Sequence, residues 1–273
     1  MPSRPASGRS TMPRRPASRH REGNRPVKVL GIDVGGSGVK GAIVDTRTGK
    51  LLTKRYRLST PVPSTPKALG RTIARVVEHF QWKGPVGCGM PGPVKGGVLM
   101  LANNLDRGWS GLRVDRMLSR ATGCRTFVVN DADAAGMAEM KFGAGKGKNG
   151  TVVLVTLGTG IGSSLFISGL LVPNTELGQF ELRGKRAELR ASAAIRKQRK
   201  LSWGKWAARL QEYFDMVELL LWPDLIIVGG GVSRRADRFI PKLRLRARII
   251  PARLKNEAGL IGAALHAAGE ARL

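Results

Sequence analysis

The sequence predicts a duplicated α/β fold whose two halves enclose a cleft. A buried strand, a glycine-rich turn and a second strand occupy residues 27–45, and the same arrangement returns at residues 151–167. The offset of about 120 residues is longer than the periods of small solenoid repeats. Between these units, an apolar run at residues 126–129 leads through Asn130 and Asp131 into a small-residue helical pattern at residues 132–142. We expect such a strand-to-helix junction at the mouth of the cleft.

Composition indicates a globular chain without a metal cluster. Of the 273 residues, 42% are hydrophobic, and no apolar run approaches the length of a bilayer span. The two cysteines, Cys88 and Cys124, cannot form a disulfide framework, and His20, His79 and His266 are scattered along the chain. A transition-metal site is therefore not expected.

The charge of the chain predicts a polyanionic partner. Lysine and arginine number 47 against 19 acids, which gives a formal charge of +28. A field of this size attracts nucleic acid, an anionic membrane surface or inorganic polyphosphate. Residues 1–26 hold seven arginines, one glutamate and five prolines, so we expect a disordered basic tail without a secretory signal. The tail contributes +6 of the +28, so the folded part carries the remaining +22.

The first strand pair encloses a glycine-rich turn, which predicts a phosphate site. Residues 36–41 fit G-x-G-x-x-G, but a dinucleotide fingerprint requires a helix after the glycines, and here a β-rich run follows. A glycine hairpin is the better interpretation. Its backbone N–H groups can cradle a phosphate, or the glycines can serve only a tight turn. Asp33, at the end of the first strand, is placed to hold a hydrated Mg²⁺ near that phosphate.

The elements up to residue 125 alternate between strands and helices. We predict a third strand at residues 51–58, a loop at 60–66, a helix at 69–80, a strand at 86–90 and a helix from residue 114. The glycine-proline turn at residues 89–93 can line a pocket with backbone groups. Asn103 and Asn104 can hydrogen-bond sugar hydroxyls, and they are equally common turn residues.

Two interpretations of Asn130 and Asp131 follow from the local residues. Either side chain can cap the helix by accepting an orphan backbone N–H. Alternatively, the Asp131 carboxylate can accept a proton from a substrate hydroxyl at the cleft. The local sequence alone leaves both open.

The second half repeats the strand–glycine–strand unit and adds an acidic loop. Strands are predicted at residues 151–157 and 164–167, and residues 173–190 are predicted to form a polar loop containing Glu176, Gln179 and Glu188. A helix at residues 206–222 and a strand at 225–228 follow. That strand ends in three glycines and opens a helix near Ser233, an arrangement suited to a nucleotide's sugar and phosphates. A small apolar helix at residues 258–268 closes the chain.

In their order along the chain, these motifs resemble those of a ROK-family sugar kinase of the actin-like ATPase superfamily. They are DVGGS at residues 33–37, MPGP at 90–93, ND at 130–131, TLGTGIG at 156–162, ELG at 176–178, IVGGG at 227–231 and GLIGAA at 259–264. Residues 178–188 resemble the polyphosphate-dependent glucokinases and glucomannokinases of this family. The resemblance implies an actin-like ATPase (ribonuclease H-like) duplicated fold of two α/β domains with an interdomain cleft. The smaller domain would comprise residues 27–129 plus 257–273, and the larger one residues 130–256.

The resemblance also assigns roles to individual residues. Asp131 would be the general base on the sugar 6-hydroxyl. The sugar-binding set would be Asn104, Asn130, Asp131, Glu176, Gln179 and Glu188. The phosphate-binding set would be Asp33, Gly35, Gly36, Ser37, Gly38, Lys40, Thr156, Gly158, Thr159 and Gly160. Gly229, Gly230 and Gly231 would meet the nucleotide, and Asp33 would hold Mg²⁺ through water.

Three departures from the family pattern qualify this assignment. Gln179 stands where many family kinases have a histidine, which bears on sugar preference at C2. Residues 180–190 contain no cysteine, so no zinc is expected. The tail at residues 1–26 is too short and too rich in proline for the helix-turn-helix of the family's repressors.

The reaction implied is cytoplasmic phosphorylation of glucose, and of mannose, with inorganic polyphosphate or ATP as donor. Basic runs at residues 183–209 and 234–255, with Lys40, Lys146 and Lys148, are the candidate polyphosphate track. A strictly ATP-dependent hexokinase is the alternative within the family. A nucleic-acid-binding protein on the same fold is the non-enzymatic alternative, and the intact Asn130–Asp131 pair opposes it. The sequence leaves monomer and homodimer open.

Overall fold

The computed structural model describes residues 28–102 and 105–271. The predicted basic tail and Asn104 lie outside these residues. In chain order, the strands are β1 (Lys28–Gly35), β2 (Gly38–Asp45), β3 (Tyr56–Leu58), β4 (Val86–Met90), β5 (Val94–Lys95), β6 (Val98–Leu99), β7 (Leu112–Arg113), β8 (Thr126–Asn130), β9 (Thr151–Leu157), β10 (Ile161–Ile167), β11 (Leu170–Val172), β12 (Glu181–Leu182), β13 (Lys185–Arg186), β14 (Leu225–Gly229) and β15 (Arg248–Pro251). The α-helices are α1 (Pro66–His79), α2 (Val114–Thr122), α3 (Asp131–Phe142), α4 (Glu188–Ala191), α5 (Ala193–Gln198), α6 (Trp203–Leu221) and α7 (Ala258–Glu270).

Two five-stranded sheets with one topology form the body of the protein. The first sheet has the order β3-β2-β1-β4-β8, and the second has the order β11-β10-β9-β14-β15. In both, the three strands nearest one edge are antiparallel, and the remaining strands are parallel to the central strand. The glycine hairpins therefore join equivalent strands, β1 to β2 and β9 to β10. The duplication predicted from the two strand–glycine–strand units is confirmed.

The carboxyl ends of the parallel strands converge on one cleft. Residues at the ends of β1, β4, β8, β9 and β14, or in the turns that directly follow, all line it. Ligands of open α/β sheets bind at this end of the strands. The topology thus brings together polar residues as far apart in sequence as Asp33 and Asn256, which are separated by 223 positions.

Helix α7 packs against the first sheet with its backbone close to the strands, because glycines lie at the points of contact. A Cβ at Gly31 of β1 would collide with the carbonyl of Leu260, and one at Gly87 of β4 would collide with that of Ala263. On the other side of the helix, a Cβ at Gly262 would collide with the backbone of Ala134 in α3. The small-residue composition of α7 therefore reflects backbone contact on two sides, and this contact fixes α3 relative to the first sheet.

Each sheet also has its own apolar core. On the face of the first sheet opposite α7, Ile32 and Val34 pack with Leu69 and Ile73 of α1. Thr65 caps α1 by accepting the Ala68 N–H at 3.3 Å, and Pro66 occupies the first turn, where its missing N–H costs nothing. On the second sheet, α6 buries its apolar face against β9, β10 and β14.

The domain boundaries at residues 129/130 and 256/257 stay predictions.

Three predicted elements differ from the structure. The third strand is much shorter than residues 51–58: only Tyr56–Leu58 pairs with β2, and Leu51 makes a single bridge to Val44. The predicted polar loop at residues 173–190 contains the hairpin β12–β13 and the first turns of α4. The segment after the three glycines is a 3₁₀-helix, Gly231–Arg238, interrupted at Arg235 (φ −117°, ψ 27°), and not an α-helix. Within the described residues, none of the helices combines the length and apolar character needed to cross a membrane.

Candidate active site

The cleft has a volume of about 310 Å³ and collects most of the predicted site residues. Those that line it are Asp33, Gly35, Gly36, Lys40, Asn130, Asp131, Thr156, Gly158, Thr159, Gly160, Glu176, Gln179, Glu188, Gly229, Gly230 and Gly231. Ser37 and Gly38 are not among the described residues that line it, and their assignment to the phosphate-binding set stays a prediction. Arg57 lies against this part of the hairpin. Its guanidinium leaves no room for a side chain at Gly38, and its Nη2 donates to the Ser37 carbonyl at 2.7 Å. Asn104 lies outside the described residues.

Asn130 fulfils the capping role and connects two walls of the cleft. Its Oδ1 accepts the Asp133 N–H at 2.9 Å and caps α3. Its Nδ2 donates to the Gly92 carbonyl at 3.1 Å and to Glu176 Oε1 at 3.2 Å. The cap therefore fixes the first turn of α3, where Asp131 is the first residue. The two interpretations of this pair are compatible, because Asn130 caps the helix and leaves the Asp131 carboxylate facing the cleft.

Asp131 has the electrostatic environment of a general base. Its pKa is raised to about 7, first by burial and then by the nearby carboxylates of Asp33, Glu176 and Asp133. The Ala132 N–H opposes this increase by hydrogen-bonding the ionised form. A base is most effective when its pKa lies near the working pH. Asp131 can thus take up a proton and release it near neutrality.

Three polar side chains from the 173–190 segment face Asn130 across the cleft. Glu176 accepts from Asn130, and burial raises its pKa to about 7, with further contributions from Asp133 and Glu188. Arg186 organises the other two: its Nη1 donates to Gln179 Oε1 at 3.0 Å and lies 3.5 Å from Glu188 Oε1. Ser163 supports the segment by accepting the Leu177 N–H at 2.9 Å. These carboxylates and amides form a concave polar surface suited to the hydroxyl groups of a sugar ring.

Asp133 and Asn174 support this surface and were missed by the sequence reasoning. Asp133 is only 1% exposed. Its Oδ2 accepts the Asn174 N–H at 2.8 Å, while its Oδ1 is buried without a partner. Burial raises its pKa to about 6, against the effect of the Asn174 hydrogen bond. The Asn174 side chain in turn bonds both backbone groups of Val94, so the two residues connect α3, the acidic segment and β5.

The two glycine hairpins face each other across the other part of the cleft. A Cβ at Gly36 would lie 3.9 Å from Thr159 Oγ1, which places the tip of the first hairpin against the tip of the second. Thr60 fixes the first hairpin by donating to the Gly35 carbonyl at 2.6 Å, and α5 fixes the second through Ala194 N–H to Gly158 O at 3.0 Å. A phosphate between the tips would meet backbone groups from both sheets.

Asp33 and Lys40 form an ion pair between the hairpins and Asp131. Lys40 Nζ donates to Asp33 Oδ2 at 2.8 Å, and both side chains are partly exposed to the cleft. Mg²⁺ in phosphoryl-transfer sites takes one or two protein carboxylates and completes its shell with water and phosphate oxygens. Asp33 fits that role. In the described part of the chain, no group of three or more His, Cys, Asp or Glu residues is arranged to hold a metal ion by itself.

The glycines after β14 extend the cleft beyond the hairpins. Gly229 pairs with Thr156 in the second sheet, and Gly230 adopts φ +80°, where a Cβ would collide with the backbone of Leu157. Lys255 and Asn256 line the same part of the cleft and were not assigned to the site from sequence. Glu139 was also missed. Its buried carboxylate accepts the N–H groups of Ala144, Arg253 and Leu254 and so holds the segment that carries Lys255.

Comparison with known proteins identifies the family. A model described as the ROK family matches residues 29–174. A polyphosphate glucokinase of Mycobacterium tuberculosis is 47% identical over 237 residues, covering 86% of this chain and 89% of the relative. The chain belongs to the ROK family.

Solved structures of ROK-family proteins share the fold. An inorganic polyphosphate/ATP-glucomannokinase from Arthrobacter sp. strain KM superposes with a TM-score of 0.87 at 47% identity, covering 90% of this chain and 100% of that one. A ROK family glucokinase from Streptomyces griseus, in complex with glucose and AMPPNP, has a TM-score of 0.76 at 24% identity, with coverage of 87% and 98%. The predicted actin-like fold of two α/β domains is confirmed. The similarity to the Streptomyces protein supports the fold alone.

Proposed function

We propose that this protein is a sugar kinase that transfers a phosphoryl group from inorganic polyphosphate or ATP to the 6-hydroxyl of glucose. The observation that carries the proposal is the position of Asp131. This carboxylate, with a pKa of about 7, lies between a polar surface suited to a sugar and two opposed glycine hairpins suited to phosphates. Family membership and 47% identity to polyphosphate glucokinases support the same reaction.

The sugar end orients the acceptor hydroxyl. Glu176, Glu188 and Gln179 accept or donate hydrogen bonds to the ring hydroxyls, and Asn130 binds a hydroxyl next to the reacting one. Above its pKa, Asp131 is ionised and accepts the proton of the 6-hydroxyl as its oxygen attacks the terminal phosphorus of the donor. Base catalysis of this kind contributes about 10²–10⁴-fold.

The donor end binds and neutralises the phosphates. Backbone N–H groups of the hairpin tips contact the transferring phosphoryl group, where fixed dipoles stabilise developing charge. Lys40 supplies a positive charge beside them. Mg²⁺, held through water by Asp33 when bound, supplies further neutralisation of the donor oxygens. In-line phosphoryl transfer requires mainly such positioning and charge compensation.

The net charge and the similarity to known kinases support a choice of donor and of sugar. The formal charge of +28 favours a polyanionic donor such as polyphosphate. Gly229, Gly230 and Gly231 provide the open backbone that an ATP ribose and phosphate would contact. Mannose is a second acceptor, as in the glucomannokinase from Arthrobacter, because the amide of Gln179 can bond a hydroxyl of either configuration at C2. A cytoplasmic reaction is part of this proposal.

A four-way assay tests the proposal. Glucose or mannose is combined with ATP or long-chain polyphosphate in the presence of Mg²⁺, and the product is identified by ³¹P NMR. We expect hexose 6-phosphate with either donor. Turnover with ATP alone would establish the strictly ATP-dependent alternative, and absence of product in all four combinations would overturn the proposal. Tight DNA binding without any turnover would favour the nucleic-acid-binding alternative.

A further inference from the structure

Several cations near the cleft have no part in the reaction at Asp131. We propose that Arg55, Arg57 and Lys255, named here the rim cluster, bind the polyphosphate chain beyond the phosphoryl group that Lys40 contacts. The inference rests on the proposed function, because it names how the same site recognises one of its donors. It differs from the sequence-based track. The sequence-based track consisted of the runs at residues 183–209 and 234–255 with Lys40, Lys146 and Lys148. Of its cations, only Lys40 and Lys255 are among the described residues that line the cleft.

The register of the first sheet places three charged residues in one row. Arg57 pairs with Lys40, and Lys40 pairs with Asp33, across strands β3, β2 and β1. Residues directly opposite each other point to the same face of a sheet. Tyr56 and Leu58 pack in the core on the other face, so Arg57 extends the row outward from the cleft.

Arg57 lies directly on the first glycine hairpin. Its Nη2 donates to the Ser37 carbonyl at 2.7 Å, and a Cβ at Gly38 would come within 2.6 Å of its Nε. The glycine thus allows the guanidinium to lie against the hairpin. Arg57 forms no ion pair within residues 28–102 and 105–271, so its charge is available to an anion held at the hairpin tip.

Lys255 and Arg55 continue the surface at the opposite rim. Lys255 lines the cleft beside the three glycines after β14, in a left-handed backbone conformation of φ +52° that is uncommon for a lysine. Arg55 reaches this segment and donates to the Asn256 carbonyl at 3.4 Å. Both side chains are exposed, and neither has a carboxylate partner in the described part of the chain.

The arrangement of charge explains why a polyphosphate chain fits. The carboxylates of Asp131, Glu176 and Glu188 lie at the sugar end, while the rim cluster lies around the donor end. An ATP molecule carries charge only as far as its α-phosphate, whereas each further phosphate of a long chain brings another negative charge to the rim. The basic run at residues 183–209 is less available, since Arg183 and Arg190 both pair with Glu212.

The test compares two double variants that remove the same charge. R55Q/K255Q removes two positive charges from the rim cluster, and R71Q/R75Q removes two from exposed positions of α1 that lie outside the cleft and outside both basic runs. The value of kcat/KM is measured for tripolyphosphate, long-chain polyphosphate and ATP over a salt series. By analogy with single-stranded nucleic acid, we expect R55Q/K255Q to lose about tenfold with the long chain and to reduce the slope of log kcat/KM against log salt by about 1.4. With ATP, the loss should be smaller than with the long chain, because only Lys255 of the two lies beside the glycines proposed to contact the nucleotide.

The outcomes separate this inference from the proposed function. The charge-preserving R55K/K255R variant should keep the preference for long chains. If the wild type uses polyphosphate and R55Q/K255Q behaves like R71Q/R75Q, the rim cluster is not the binding surface, while the proposed function stands. An equal loss with ATP and long-chain polyphosphate would also overturn the inference, because the residues would then act on phosphates common to both donors. A wild type that uses ATP only would remove the polyphosphate donor and the inference with it.

Discussion

Replacing Asp133 with asparagine should stabilise the protein in a pH-dependent manner. Asp133 is 1% exposed, and one of its carboxylate oxygens has no hydrogen-bond partner. Burial raises its pKa from an ordinary value of 3.8 to about 6. A carboxyl group with a raised pKa in the folded state keeps its proton while the unfolded chain has already lost it. The free energy of unfolding therefore falls as the pH rises from about 4 to 6, and it stays reduced above that pH.

The magnitude follows from the size of the shift. A shift from 3.8 to about 6 corresponds to roughly 3 kcal/mol at pH 8 and roughly 1 kcal/mol at pH 4.5, using about 1.36 kcal/mol per pKa unit. Asparagine keeps an oxygen for the Asn174 N–H but carries no charge at either pH. Any cost of leaving part of the amide unpaired is the same at both pH values, because the amide does not titrate. The difference in ΔΔG of unfolding between pH 8 and pH 4.5 should thus be about 2 kcal/mol in favour of D133N.

Urea unfolding of the wild type and D133N at pH 4.5 and 8 measures this difference. D115N is the matched control. Burial raises the pKa of Asp115, but hydrogen bonds from Arg113 and the Arg116 N–H outweigh burial and lower it overall. Because pH 4.5 and pH 8 both lie above the ordinary value of 3.8, D115N should lose nearly the same stability at both. Equal effects of D133N at both pH values would refute the reasoning, because the buried carboxylate would then carry no penalty.

Three further predictions follow from the site and its scaffold. The value of kcat/KM for glucose should decrease below a pKa of about 7 as Asp131 becomes protonated, which a profile from pH 5.5 to 9 tests; a flat profile would exclude this base. Gly87→Ala should destabilise the protein by about 1–3 kcal/mol in urea unfolding, because the new Cβ on β4 would meet the Ala263 carbonyl of α7. As a control, Gly269→Ala, at a position of α7 with open space around it, should be neutral or stabilising. Removing Mg²⁺ with EDTA should abolish turnover and leave glucose binding by calorimetry unchanged, and retained turnover would contradict the role of Asp33.

The sequence predicted the parts of the site that depend on local patterns. The two glycine hairpins are bounded by strands on both sides, and Asn130 and Asp131 directly follow a buried strand. Such junctions are recognisable because strand, turn and helix start lie within about ten residues. The duplication was also recognisable, since it repeats one short pattern.

The parts that were missed depend on contacts between distant segments. Glu139 lies within a small-residue helix and holds backbone groups of Arg253 and Leu254, more than 100 residues later. The pairing of Asp133 with Asn174 likewise spans 41 residues. Nothing in the local sequence distinguishes these residues from ordinary helix and loop positions. The charge pattern has the same limit, because a basic run in sequence does not show which cations face the cleft.

The strand predicted at residues 51–58 was too long for a physical reason. Its apolar ends favour extended backbone, but Lys54 and Arg55 between them are charged and exposed. The strand therefore breaks between Leu51, which packs beside Val44, and Tyr56. Similarly, the turn after β14 was expected to start an α-helix, and Gly231 is followed instead by a 3₁₀ segment with a kink at Arg235. Propensity is overridden here by tertiary packing.

The measurement that bears most directly on the account is the activity of D131N with glucose and each donor, together with its affinity for glucose. Asparagine keeps the size of the side chain but cannot accept the hydroxyl proton. We predict that kcat falls by about 10²–10⁴-fold with both ATP and polyphosphate, while glucose binding by calorimetry is retained. Near wild-type turnover by D131N would contradict the assignment of Asp131 as the general base.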